Sequence, residues 1–100
     1  MVIYEVSDGI ATLTLNNPAE RNSMTAEMVR DIVAAMDSAE ADPAVRVVIV
    51  TGAPPAFCAG ANLGNLAEAT RESLLAIYEG FLRVARSPLP TIAAVNGAAV

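Results

Sequence analysis

Thr51-Gly52-Ala53-Pro54-Pro55-Ala56-Phe57-Cys58-Ala59-Gly60-Ala61-Asn62-Leu63 directly follows the most apolar run of the chain, Val47 to Val50. A β-branched run that empties into Gly, Ala and Pro reads as a strand ending in a loop. Almost none of these side chains carries acid, base or nucleophile chemistry. A function placed here therefore rests on backbone N–H and C=O groups, which small residues leave open to a ligand. With Gly60 supplying a tight turn and a short helix starting near Asn62, the Ala61 N–H becomes one of the unpaired donors of a helix start and can stabilise a developing oxyanion. On these residues alone, an ordinary strand-to-helix connection accounts for the pattern equally well.

Working outward, Val45 to Val50 shows no alternation, which predicts a parallel strand buried on both faces. Before it, Val2 to Val6 and Ile10 to Leu15 flank Ser7-Asp8-Gly9 and read as a hairpin. Tyr4 and Val6 lie on one face of its first strand, Ile3 and Glu5 on the other. Asn16 to Ser23 reads as a polar loop, because Pro18 and two adjacent Asn residues stop the strand. Thr25 is a good N-cap with Glu27 in the first turn, and Met28, Ile32, Ala35, Met36 and Ala39 recur at helical spacing. Met28 and Met36 read as core rather than as a soft acyl surface. Asp42-Pro43 ends that helix, and strand, helix, strand in succession implies a right-handed crossover.

Beyond the central stretch, Gly64 to Ala69 is expected to hold a short helical turn. Arg71 to Arg86 reads as a helix whose broad apolar face carries Leu74, Leu75, Ile77, Tyr78, Phe81, Leu82 and Ala85. Pro88 and Pro90 stop it, and Thr91 to Val95 reads as a second buried strand running into Asn96-Gly97. The class is α/β.

A chain of 100 residues suffices for one small domain, burying roughly 60 to 65% of the surface its unfolded chain exposes. Its 54% apolar and 17% charged residues predict a packed chain and not a disordered one. That apolar share is high for so small a unit, so part of the surface is expected to lie against further chain or partner subunits. A net charge of −5 with no Lys or His argues against nucleic acid and anionic membrane surfaces as partners. Cys58 is the single cysteine and cannot form an internal disulfide, and no charged segment followed by an apolar core opens the chain, so a cytoplasmic location is expected. No apolar run approaches the ~20 residues of a membrane-spanning helix. With apolar neighbours and no His to pair with, Cys58 reads as a buried, inert thiol. No nucleotide-binding G-x-G-x-x-G or phosphate-loop pattern is present.

Three blocks in the same order carry a family resemblance. Ala56-Phe57-Cys58-Ala59-Gly60-Ala61-Asn62-Leu63 resembles A-F-C/S-A-G-A-D-L/I of the crotonase (enoyl-CoA hydratase/isomerase) family. Asn17 to Met24 resembles N-R/P-P-x-x-R/K-N-A-L/M, and Pro88 to Ala99 resembles P-x-P-T/V-I-A-A-V/I-x-G-x-A/C. The likeness covers the whole chain. It implies the ClpP/crotonase fold, with residues 1–100 as an incomplete N-terminal ββαβαβ part that stops after the third block.

The function so implied is binding of an acyl-CoA thioester, with the enolate oxygen stabilised by backbone donors. Ala61 would be the first donor, and Arg21, Ser23, Met24, Ala59, Gly60, Ala61, Asn62 and Leu63 would line the acyl-CoA site. Arg21 is implied to pair with a CoA phosphate, and Ser23 and Met24 to make backbone or packing contacts. A solvated loop arginine is the other reading of Arg21. The second donor and the acid–base carboxylates would lie beyond Val100, since Glu68 reads as an ordinary helix-surface carboxylate. Coenzyme A enters only as part of the substrate; no further cofactor and no metal are implied, and the full-length family form implies a homotrimer or hexamer. Asn62 departs from the family's Asp. It keeps the N-cap but puts in doubt any role that needs the charge, and with it a typical short-chain hydratase. The alternative is a catalytically inactive, truncated module that binds CoA or joins subunits.

Overall fold

The computed structural model describes residues 1–60 and 71–100. Strands β1 (Val2–Ser7) and β2 (Ile10–Leu15) form the hairpin. Asp8 and Gly9 are both left-handed (φ 52° and 79°), as a two-residue turn closing Ser7 on Ile10 requires. Helix α1 (Ala26–Ala41) leads to β3 (Val47–Gly52), then β4 (Ala56–Cys58), α2 (Arg71–Ala85), β5 (Thr91–Ala93) and β6 (Ala98–Ala99). The main sheet has the order β1-β2-β3-β5, antiparallel in the first pair and parallel thereafter; β4 and β6 form a small parallel sheet of their own.

The Thr25 hydroxyl accepts the Met28 N–H at 3.2 Å, satisfying one of the free donors that start α1. The five apolar residues at helical spacing are the buried stripe of α1, and they lie on Ala11, Leu13, Leu15, Val48 and Val50 of the sheet. Helix α2 packs against α1, with Ile77, Phe81 and Val84 reaching the same core. Gly80 is what lets the two helices approach: a Cβ there would stand 3.2 Å from Met24 Sδ and 3.4 Å from Ile32 Cδ1. Arg83 crosses from α2 to Glu40 (2.6 Å) and Asp37 (2.8 Å) of α1.

Four expectations need correction. The element order among the described residues is ββαββαββ, because Ala56–Cys58 and Ala98–Ala99 are short strands and not loop. Burial along β3 alternates: Val48, Val50 and Gly52 are buried, whereas Val47, Ile49 and Thr51 are only partly so. The register explains it, since α1 packs on the face shared by Leu13 and Val50, while Ile10, Val47, Ile49 and Ile92 share the other. Thr91 to Val95 is not a buried strand either. Its three strand residues lie beyond the reach of α1, paired with β3, and all are exposed. The apolar face of α2 is also only half used, Leu75, Tyr78, Leu82 and Ala85 remaining exposed. The short turn expected over Gly64 to Ala69 lies outside the described residues.

Candidate functional site

Where β3 ends, Ala53, Pro54 and Pro55 carry the chain into β4, which pairs with β6 through Ala56–Ala98 and Cys58–Ala99. Asn96 holds this end of the sheet: its Nδ2 donates to Gly52 O (2.8 Å), and its Oδ1 accepts from Gly52 N (3.2 Å). Past β4, the Val100 N–H donates to Cys58 O at 3.0 Å. The Gly60 backbone then turns into the left-handed region (φ 99°), a conformation open to glycine and costly to other residues. A positive φ is what the tight turn expected at Gly60 needs, while the helix start expected near Asn62 lies outside the described residues.

The Asn17–Met24 segment runs alongside. A single 3-10 turn, Pro18–Glu20, is followed by two successive left-handed residues, Arg21 (φ 51°) and Asn22 (φ 58°). Arg21 O accepts the Ala59 N–H at 3.0 Å, and the Met24 N–H donates to Gly60 O at 2.7 Å. The loop after β4 is thus bonded, backbone to backbone, to the segment that carries Arg21. Arg21 itself is exposed, and among the described residues no carboxylate lies within ion-pair distance of its guanidinium.

This segment is not a solvated polar loop throughout. Asn22 is fully buried and Ser23 nearly so, the Asn22 side chain lying against the β3–β4 connection at Ala53 and Ala56. Asn22 Nδ2 donates to both Ala53 O and Ala56 O (2.9 Å each), and its Oδ1 accepts the Asn17 N–H at 2.8 Å. Sequence reasoning passed over Asn22; its only signal there was its place inside the Asn17 to Met24 block. The Ser23 Oγ has no partner among the described residues. The Met24 side chain is buried in the core beside Gly80, so the packing contact expected of it is made with the core.

Ala59 and Gly60 are half-buried beside Arg21. Ala61, Asn62 and Leu63, as well as Glu68, lie outside the described residues. Cys58 is buried, and desolvation pushes its thiol pKa up against a smaller opposing hydrogen bond from Gly60. That leaves a protonated, unreactive thiol at neutral pH. Among the described residues no group of three His, Cys, Asp or Glu side chains could hold a metal ion. None of their helices is long and apolar enough to cross a membrane.

Residues 5–100 match the family model described as enoyl-CoA hydratase/isomerase. A Mycobacterium tuberculosis protein named "Probable enoyl-CoA hydratase EchA14" is 48% identical, over 99% of this chain and 40% of its own. The 1,2-epoxyphenylacetyl-CoA isomerase of Escherichia coli is 34% identical, over 98% and 40%. The crystal structure of an enoyl-CoA hydratase/isomerase from Xanthobacter autotrophicus superposes with a TM-score of 0.86 at 42% identity, covering 96% of this chain and 38% of that one. The chain thus spans about 40% of the length of these relatives, over their N-terminal part. Its strands and helices are those of the corresponding part of the crotonase fold. On both sequence and structure, the chain belongs to the enoyl-CoA hydratase/isomerase family.

Proposed function

We propose that residues 1–100 form the acyl-CoA-binding part of an enoyl-CoA hydratase/isomerase-type enzyme, in which the Ala61 N–H is one of two backbone donors to the thioester oxygen. The observation that carries this reading is the seam in which Arg21 O accepts from Ala59 and Gly60 O accepts from Met24. It sets an exposed cation beside a loop of small residues that leads into Ala61. Addition of water to an enoyl thioester, or movement of its double bond, builds negative charge on the carbonyl oxygen. A positioned backbone donor at that oxygen lowers the barrier by about 2.7 to 4 kcal/mol. This reading assigns neither the second donor nor a proton-moving carboxylate to residues 1–100.

Arg21 would pair with a phosphate of coenzyme A, a charge-assisted contact that a thioester of pantetheine cannot make. In the full chain Arg21→Ala should therefore raise KM for acyl-CoA about tenfold while leaving the matching pantetheine thioester within about twofold. Equal losses on both substrates would remove the phosphate role. A second reading, a module that joins subunits, is favoured by the exposed Leu75 and Tyr78 on α2 and Ile92 and Val95 near β5.

A further inference from the structure

Both amide protons and the carbonyl oxygen of the fully buried Asn22 side chain are used, and its two donor bonds reach 31 and 34 residues along the chain to Ala53 and Ala56. On either side of it, the Arg21 O to Ala59 N–H and Gly60 O to Met24 N–H bonds tie the same two segments together. Asn22 therefore stands in the middle of the seam. Its left-handed backbone suits asparagine better than most other residues.

We propose that Asn22 is a positioning residue of the acyl-CoA site: it fixes the register between the Arg21 segment and the Ala59–Gly60 backbone, the two parts of the proposed site that the seam joins. It acts through the backbone and does not touch substrate. The proposal rests on the acyl-CoA reading, yet its geometry has a readout that needs no turnover. Three bonds on one buried amide make a unit that opens all at once, and opening frees the neighbouring backbone bonds with it.

Hydrogen exchange followed by NMR on the full chain tests this directly. In the wild type the two Asn22 Nδ2 protons and the Ala59 and Met24 amide protons should share one protection factor within about threefold, because one opening event exposes them all. Nδ2 protons that exchange freely while the Ala59 amide stays protected would overturn the proposal, whether or not any variant folds. Asn22→Asp keeps the shape and removes both donors. It should cut protection of the Ala59 and Met24 amides at least about tenfold while the Leu13 and Val50 amides keep theirs, and it should lower kcat for CoA and pantetheine thioesters alike with KM little changed. Unchanged protection in that variant overturns the proposal. Lost protection in a chain whose wild type turns over no acyl-CoA supports the seam and refutes the acyl-CoA reading instead.

Discussion

Beneath α1, Leu13, Leu15, Met28, Ile32, Met36 and Val48 are buried among carbon and sulfur atoms. Asn22 is buried just as completely, but what surrounds it is amide: Ala53 O, Ala56 O and Asn17 N all end on its side chain. Apolar contact is non-directional, so the first region depends mainly on volume and tolerates isosteric exchange. Hydrogen bonds are directional, and a buried polar atom that loses its partner costs more than the bond contributed. The layer under α1 can therefore vary while the fold persists, whereas the seam beside the Gly60 turn cannot move without changing the site it supports.

The comparison is broken most severely in the core. Leu13→Ala should lower stability by about 3 kcal/mol, read from the urea midpoint, whereas Leu13→Met should cost less than about 1.5 kcal/mol. A Met variant as unstable as the Ala one would mean that the core is as shape-specific as the seam. Next comes the point where hydrogen bonding enters the apolar layer. Thr25→Ala deletes the cap on Met28 N–H and should cost about 1 kcal/mol, with Thr25→Ser restoring most of it.

The smallest effect is expected at the partly exposed Arg83, whose pairs with Glu40 and Asp37 tie α2 to α1. Arg83→Ala should cost about 0.5 to 1 kcal/mol at neutral pH. The hydrogen bond from Arg83 holds the Glu40 carboxyl below its usual value of 4.5. A carboxylate with a depressed folded pKa stabilises the fold above its ordinary pKa and loses that contribution as pH falls through the lowered one. The gap between wild type and variant should accordingly narrow below about pH 4.5. A gap that stays constant down to pH 3 would assign the loss to packing of the arginine stem.

The two regions also differed in how far the sequence revealed them. The α1 stripe, the Thr25 cap and the Asp8-Gly9 turn were readable because each is a local pattern with a fixed spacing. Strands β4 and β6, of three and two residues, are too short for any period to register. The open face of β3 and the exposure of β5 escaped because a β-branched run specifies a strand but not what covers it. Asn22 was missed for another reason: the partners of its amide donors lie 31 and 34 residues away, and a polar residue in the segment that opens with Asn17-Pro18 reads as a turn by composition. The family blocks pointed to Arg21 and to the Gly60 turn, which the fold brings together through the Ala59 and Met24 bonds. Local pattern finds helices; a site made of backbone groups needs the tertiary fold.

The central proposal is that the Ala61 N–H is one of two backbone donors that stabilise the thioester oxygen. Incorporating lactic acid in place of Ala61 in the full chain keeps the methyl side chain and deletes that donor. Assayed on crotonyl-CoA, this ester variant should show kcat reduced by about 10² to 10³-fold with KM within a few fold of wild type. A folded ester variant whose kcat equals that of the wild type would contradict the account.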